Sequence, residues 1–442
     1  MGSAAENKVS KSASNNNIVK YDLYRGHPND HALPSAEIQS VMASLLNDNH
    51  KESLVSSLGY GANAGNAELL SALRLFLDRR ATNDHFAGAT ANNNKSEFFI
   101  TNGVSHGIEL LCATCTNSGD EVWIERPTYF LVPKIFTSHG LVIMPLPMMS
   151  DREGDEHNYS TGQIDIERLI IMVEKDEVPP PKMIYVIPSY HNPTGRSMTT
   201  EDRGKLAAFA IRNNILLVAD EVYHFLDWDR DKSNQSSRPA AMTRFNNHII
   251  PTCDNEEPSD GCCISVSSFT KIFAPGIRVG WIEAPPHIIQ RLVNYAYINS
   301  QGGVAPFMGR LMAHAIETGM LDQYLDKLIL EYSERYRLIC KLLEVEPRIN
   351  IITKQTASNR EGGYFIWVQF PTDIDSEEFA SYSLREHGVR FMAGNKSDPF
   401  DSLHENHTKQ AIRSCARLCF ADLDRDKLEQ GVMAFVEAFR SF

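Results

Sequence analysis

The stretch from Ile187 to Arg278 gathers residue types that do chemistry. Asn192-Pro193-Thr194-Gly195 follows one β-branched apolar run, and Asp220-Glu221-Val222-Tyr223 closes the next. Ser268-Phe269-Thr270-Lys271 follows a third, and Arg278-Val279-Gly280 opens a fourth. A lysine at a strand end, among polar and cationic groups, is a candidate Schiff-base nucleophile because its pKa can be depressed there. A buried carboxylate at the tip of Ile215–Ala219 could pair with a protonated ring nitrogen and keep that ring an electron sink. Ser268, Thr270 and Arg278 offer hydroxyls and a guanidinium fork suited to a phosphate. Singly each element is weak: Asn-Pro-Thr-Gly is ordinarily a turn, Asp-Glu a solvated edge, and a lone lysine a surface group. Their order and spacing together carry the signal.

Positioning these groups requires strands that end at one edge. The short apolar runs Phe98–Thr101, Glu121–Glu125, Leu141–Pro145, Met183–Ile187, Ile215–Ala219, Ile264–Ser267 and Val279–Ile282 read as strands. Helical stretches such as Gly103–Cys115 and Glu201–Asn213 lie between them, and Asn66–Arg80 is amphipathic through Leu69, Leu70, Leu73, Phe76 and Leu77. The alternation predicts an α/β fold, a mostly parallel mixed sheet flanked by helices. Ligands of such sheets bind beyond the carboxyl ends of the strands, so the motif loops are expected to converge. Helices dominate from residue 285 to Glu346, followed by a strand at Gly363–Phe370 and a closing helix at Arg425–Phe439. The expected division is a disordered tail at 1–18, an N-terminal segment at 19–60 joining the small domain, a large domain at 61–300 and a small α+β domain at 301–442. The polar stretch Trp228–Gly261 reads as a surface insertion or lid.

The 442 residues carry a net charge of −13, against a nucleic-acid footprint, since phosphate backbones call for a basic face. No run reaches the roughly 18 apolar residues of a membrane span, and Met1–Asn17 lacks the apolar core of a secretory signal. Met1-Gly2 is followed by Glu6 where a myristoylation signal wants Ser or Thr. A soluble cytoplasmic protein is the expectation. Of eight cysteines, Cys112 and Cys115 have redox or zinc spacing, but no second pair completes a metal set. They read as packing thiols.

Taken together, the motifs resemble the class I and II aminotransferases, fold-type I enzymes that use pyridoxal 5'-phosphate, over about residues 20–440. The resemblance implies that Lys271 carries the cofactor as a Schiff base and shuttles a proton between the substrate Cα and the cofactor. It implies that Asp220 holds the pyridine nitrogen, that Asn192 and Tyr223 bond the ring oxygen, and that Ser268, Thr270 and Arg278 take the phosphate. Thr101-Asn102-Gly103-Val104-Ser105 resembles the turn that opens a helix onto the phosphate; Val104 offers only its backbone, Ser105 also a hydroxyl. Glu125-Arg126-Pro127-Thr128-Tyr129 resembles the segment whose tyrosine stacks on the cofactor ring. Leu58-Gly59-Tyr60 resembles the segment whose tyrosine reaches the partner subunit's phosphate, implying a homodimer with shared active sites. Arg413-Ser414-Cys415-Ala416-Arg417-Leu418-Cys419-Phe420 resembles the family's Arg-Leu-x-Phe, so Arg417 rather than Arg413 is implied as the clamp on the substrate α-carboxylate. Tyr24-Arg25-Gly26-His27-Pro28 resembles the loop over the substrate, with Gly26 offering backbone contacts.

Within that family the Gly26-x-Pro28 loop and the Lys271-to-Arg278 spacing look most like the branch of 2-aminoadipate and kynurenine aminotransferases. Arg25 then either meets a distal carboxylate or pairs with a neighbouring acid. His191 replaces the amide-bearing residue common before Asn-Pro-Thr-Gly, and tunes the pocket or lies exposed. Amino acids and 2-oxo acids, such as 2-oxoglutarate, are the implied substrates, with ping-pong kinetics. A carbon–sulfur lyase on the same scaffold is the alternative. A ligand-sensing regulator is disfavoured by the charge and by the Gly26 loop lying so near residue 1, and a silent binding protein by the retained Lys271, Asp220, Arg278 and Arg417.

Overall fold

The computed structural model describes residues 19–47, 51–80, 96–149, 162–228, 240–247, 261–354, 360–400 and 408–442. The chain enters through a two-residue strand β1 (Tyr21–Asp22) and then builds the large sheet from β2 (Glu97–Thr101), β3 (Glu121–Ile124), β4 (Val142–Pro145), β5 (Met183–Val186), β6 (Leu216–Asp220), β7 (Cys263–Ser268) and β8 (Gly280–Ala284). The strand order is β2-β8-β7-β6-β5-β3-β4. All neighbours from β7 to β4 run parallel, and β8 alone is antiparallel to both of its partners. Every residue of β5, β6, β7 and β8 is buried, as strands covered on both faces require, whereas edge strand β4 is largely exposed and ends in a proline.

Side chains alternate across this sheet with period two. Met183, Tyr185, Leu216 and Val218 join the core under helix Val104–Cys115. Ile184, Val186, Leu217 and Ala219 join the opposite core, under helices Ile166–Glu174 and Thr200–Arg212. Continuing the alternation, Asp220 faces with Tyr185 and Glu221 faces with Arg203, and their contacts follow that division.

The second sheet, β12 (Met392–Ala393), β13 (Cys415–Cys419), β10 (Phe365–Gln369) and β9 (Asn350–Ile351), is antiparallel. Beside it β1 pairs in parallel with β11 (Val389–Arg390). Leu23 extends that link, its N–H donating to Arg390 O and its carbonyl accepting from Cys419 N, both at 2.8 Å. The start of the described chain is thereby bound to its C-terminal part. Helix Arg425–Ser441, capped by Asp424 accepting from Lys427 N at 2.8 Å, packs its apolar face on helix Met320–Leu343 and on Phe370, Phe379 and Phe391.

The expected strands and helices appear within a few residues of their sequence bounds. Within the expected insertion, however, Met242–Asn247 forms a 3₁₀ helix whose Met242 and Phe245 are buried. Met242 N donates to the Glu221 carboxylate at 3.2 Å, and Asn246 bonds the backbone of Cys262 and Cys263. That segment is packed structure; residues 229–239 and 248–260, like the expected tail 1–18, lie outside the described residues. Cys112 and Cys115 are buried, burial pushing the Cys112 thiol up to about 12, and no metal-binding group of three occurs among the described residues. No described helix is long and apolar enough to cross a membrane.

Candidate active site

Loops beyond the carboxyl ends of β2, β3, β5, β6 and β7 converge on a cavity of about 410 Å³, closed on the far side by Tyr24–His27, Phe365 and Arg417. The strand polarity places them there, at the edge where α/β sheets bind ligands.

One end of the cavity gathers a helix N-terminus, hydroxyl side chains and a guanidinium. Gly103, at φ +91°, turns the chain off β2 into helix Val104–Cys115, and Val104 and Ser105 of the first helical turn line the wall. A Cβ on Gly103 would stand 3.1 Å from Arg278 Nη2. Arg278 is itself left-handed (φ +53°), donating from Nη2 to Asn102 O at 2.7 Å and from Nη1 to Pro275 O at 3.3 Å. Ser268 and Thr270 face the same end, their hydroxyls 2.7 Å apart, with Ser268 Oγ donating to Val279 O at 3.0 Å.

Lys271 stands between the ends. Its Nζ donates to Gly26 O at 2.6 Å, and the Tyr364 hydroxyl donates to its backbone carbonyl at 3.1 Å. Burial brings the amine down to about 8. Only a glycine lets the Gly26 loop settle this closely, because a Cβ there would stand 2.9 Å from Phe365 Cζ.

Asp220, at the tip of β6, is buried and lines the cavity. Burial pushes its carboxyl up to about 6, while hydrogen bonds from Tyr185 Oη (2.9 Å) and Val222 N (3.3 Å), and the nearby Lys271, pull the other way. Tyr129 and Tyr223 also line the cavity, and burial raises both phenols above their ordinary range. The Tyr223 ring packs against Tyr364 and Phe365 at centroid distances of 5.4 and 5.6 Å.

Arg417 projects from the middle of β13, opposite Trp367, with 2 % of its surface exposed. Its Nη1 donates to Asn192 Oδ1 at 2.9 Å, its Nη2 to Tyr24 O, and its Cζ lies 4.2 Å from the Phe365 ring centre. Its buried Nε has no hydrogen-bond partner among the described residues. A buried guanidinium in contact with a cavity has the geometry and charge to receive a carboxylate. Arg413 points elsewhere, to Asp375 Oδ2 at 3.2 Å.

The sequence-derived residues Arg25, Gly26, Val104, Ser105, Tyr129, Asn192, Asp220, Tyr223, Ser268, Thr270, Lys271, Arg278 and Arg417 therefore share one cavity wall. Tyr60 does not: in the single chain it is 91 % exposed and rests beside Gly302. The Arg25 guanidinium meets His27 Nδ1 at 3.1 Å, and only its backbone N–H reaches the Asp22 carboxylate, at 3.3 Å. His191 is buried rather than exposed, between Thr194 Oγ1 at 2.9 Å and Glu125 Oε2 at 3.4 Å, and lines a separate small cleft. Sequence reasoning missed Tyr185, Tyr364, Phe365 and Arg390. The available signal was periodicity: Tyr185 shares the alternation of β5 with residues facing Asp220's side of the sheet.

Comparison with known proteins agrees with this arrangement. Residues 29–435 match the family described as aminotransferase class I and II. An aromatic amino acid aminotransferase of Schizosaccharomyces pombe is 27 % identical over 97 % of this chain and 93 % of its own length. A 2-aminoadipate transaminase of Thermus thermophilus is 23 % identical over 78 % of this chain and 75 % of its own. The crystal structure of Pyrococcus horikoshii kynurenine aminotransferase superimposes with a TM-score of 0.73 at 22 % identity, covering 97 % of this chain and 92 % of that one. With its family model spanning almost the whole length and its strand-end loops meeting in one polar cavity, this chain belongs to the class I and II aminotransferases.

Proposed function

We propose that the protein moves the amino group of an amino acid to a 2-oxo acid on pyridoxal 5'-phosphate, by ping-pong exchange, with Lys271 as the attachment point and proton carrier. The observation that carries the reading is that an amine, a buried acid, an anion cup and a buried guanidinium line one cavity of about 410 Å³. The residues fit the cofactor. Ser105, Ser268, Thr270, Arg278 and the amides that open helix Val104–Cys115 suit its phosphate, and a Cβ at Gly103 would press on Arg278 Nη2 at 3.1 Å. Asp220 suits a pyridinium nitrogen, Asn192 and Tyr223 the ring oxygen, and Tyr129 a ring face. When bound, the cofactor supplies an aldehyde for amines and a ring that stores the electron pair released at Cα.

The chain's own groups do the rest. Burial makes Lys271 a weaker base than a surface lysine, so near neutral pH a useful fraction is the free amine that can take and return a proton. Asp220, ionised above about pH 6 and bonded by Tyr185, holds a negative charge where a ring cation would need one. Arg417, braced by Asn192, Tyr24 and Phe365, fixes an α-carboxylate and leaves the substrate Cα to be presented to Lys271. Gly26 and Tyr24 line the pocket, their carbonyls accepting from Lys271 Nζ and Arg417 Nη2.

Aromatic amino acids, 2-aminoadipate and kynurenine are the proposed donors, supported by the relatives' named activities, and 2-oxoglutarate is the proposed acceptor. We further infer a homodimer in which Tyr60 serves the partner's phosphate site; its 91 % exposure in one chain supports that role. The test is single-turnover: without acceptor, loaded enzyme should release one equivalent of 2-oxo acid per site and stop. Continuous release of pyruvate and ammonia would identify a lyase instead.

A further inference from the structure

We propose that Asp398 is a positioning residue of the active site. Gripped by Arg126, it fastens the segment that carries Tyr129 to the strand pair that carries Arg417, so that one element sets both the ring face and the carboxylate clamp. The inference rests on the aminotransferase reading and adds to it a pair of residues that stand behind the cavity wall.

The two halves of the site come from different sheets. Tyr129 follows β3 of the large sheet, and Arg417 stands on β13 of the second sheet. Met392 on β12 is the register partner of Arg417, and from β12 the chain runs through the 3₁₀ turn Gly394–Ser397 to Asp398 and Phe400. There it crosses onto the large sheet. Phe400 is buried in the same core as Val132 and Phe136, on helix Val132–Ser138 just beyond Tyr129.

Polar contacts close the crossing. Arg126 Nε and Nη2 donate to Asp398 Oδ1 and Oδ2 at 2.9 and 2.8 Å, and Thr128 N donates to Ser397 O at 2.9 Å. Asp398 Oδ1 also accepts from Phe400 N at 3.0 Å, and the Arg126 Cζ lies 5.7 Å from the Phe400 ring centre. From the other side, Glu125 Oε2 accepts from Ile187 N at 2.6 Å, at the end of β5. Glu125, Arg126 and Thr128 are thus each tied down, and Tyr129 is the next residue and lines the cavity.

The geometry favours orientation over mere attachment. Two parallel bonds from a guanidinium to a carboxylate fix direction as well as distance. The side chains of Arg126 and Asp398 are only 11 % and 1 % exposed. Ion pairs taken this far out of water add little net stability over apolar side chains of the same size. Their contribution is then a single arrangement of what they join, the kind of support that holds a functional group to within a fraction of an ångström. The contrary reading is that Arg126–Asp398 merely joins the two sheets.

A cycle of substitutions separates the two. Asp398→Asn keeps an Oδ1 acceptor for Phe400 N and Arg126 Nε but removes the charge and the second acceptor. Affinity for pyridoxal 5'-phosphate, followed by protein fluorescence, should fall about tenfold, the scale of one charge-assisted contact. The visible circular dichroism of the bound cofactor, which reports a ring held against an asymmetric neighbour, should shrink with it. On a Tyr129→Ala background the same Asp398→Asn change should cost less than about twofold, because residues acting through one another are not additive. A full tenfold loss on both backgrounds overturns the positioning role, and so does Asp398→Asn protein with wild-type affinity and dichroism. Arg126→Met combined with Asp398→Leu removes both charges together and keeps the test decisive if Asp398→Asn folds poorly. A wild-type thermal midpoint with weakened affinity and dichroism supports the role; a wild-type midpoint with both intact overturns it. Wild-type protein that takes up no cofactor overturns the aminotransferase reading, and the positioning role with it.

Discussion

The Tyr185 hydroxyl donates a 2.9 Å hydrogen bond to Asp220 Oδ2 across the parallel pair β5–β6, where Tyr185 is in register with Val218 and so lies diagonal to Asp220. Both groups are buried. Burial alone favours the neutral acid, and Tyr185 opposes that by bonding the anion. Tyr185→Phe should therefore raise the Asp220 pKa further, and the carboxylate should be lost at higher pH than in the wild type. Cofactor affinity at pH 7 should fall about tenfold, ~1.4 kcal/mol, with its acid-side decline moved upward in pH. Fluorescence titration of apoprotein from pH 5 to 8 measures both; an unmoved pH profile would show that Tyr185 is only core.

Lys271 predicts a pH dependence of its own. Its pKa is lowered to about 8, first by burial, so the reactive free amine grows as pH rises through that value. The rate at which apoprotein attaches the cofactor should increase about tenfold between pH 7 and 9 and then level off. A surface-like lysine would keep accelerating past pH 10. Lys271→Ala should yield no borohydride-fixed cofactor by mass spectrometry, and a surviving adduct would place the chemistry on another lysine.

What was readable in the sequence and what was not follows one physical line. Asp220 and Ser268 end apolar strands, and Asn192 and Lys271 follow such strands in the next loop, where a polar residue interrupts a hydrophobic run and is conspicuous. Tyr185 lies inside β5, in a run of four buried residues, where an aromatic ring is indistinguishable from core packing until its hydroxyl is placed. Arg390 occupies a two-residue strand whose pairing with Tyr21–Asp22 spans most of the chain, and local pattern says nothing of such contacts. Met242–Asn247 was hidden for a related reason: its neighbours are polar, and its two buried apolar side chains are too few to set a period.

Arg417→Lys tests the carboxylate clamp. A lysine keeps the charge but loses the planar fork and the reach to both Asn192 Oδ1 and Tyr24 O. The KM for amino donors should rise by about 10²-fold, in line with ~2–3 kcal/mol for disrupting a buried charged contact, with kcat less affected. Arg413→Lys should change neither parameter beyond about twofold, since Arg413 pairs with Asp375 away from the cavity. Steady-state kinetics on both variants decides between them; equal effects would remove Arg417 from the site.

Gly103→Ala probes the anion cup. The added methyl would force a left-handed backbone (φ +91°) on a side-chain-bearing residue and approach Arg278 Nη2 to 3.1 Å. Because Arg278 is the displaced neighbour, phosphate binding should suffer more than ring binding. Affinity for pyridoxal phosphate should drop at least about tenfold relative to that for unphosphorylated pyridoxal, taking one charge-assisted contact as the scale. Parallel loss of both ligands would mean a general folding defect and no specific cup.

Tyr60 decides whether the site is completed by a second chain. It is 91 % exposed, with Leu58 and Val55 on the same segment also exposed at 69 and 61 %. Apolar side chains concentrated on one short stretch beside a glycine-lined contact at Gly302 are the expected anatomy of a buried interface. Light scattering should give twice the 49.7 kDa chain mass. Tyr60→Phe should weaken cofactor affinity by roughly the 1.5–3 kcal/mol of one hydrogen bond to a charged group. Mixing Tyr60→Phe with Lys271→Ala protein gives a sharper answer than either alone. In a shared-site dimer the mixed species holds one pocket with neither defect and one with both, whereas chains that use their own Tyr60 give two pockets with one defect each. The pairing of defects depends on which chain supplies Tyr60, so if the partner does, the mixed dimer contains a pocket with Lys271 from one chain and Tyr60 from the other. Cofactor affinity in that pocket should return to the wild-type value, measured on heterodimers purified with two different affinity tags. Heterodimers whose lysine-bearing site keeps the weakened affinity would show that Tyr60 serves its own chain.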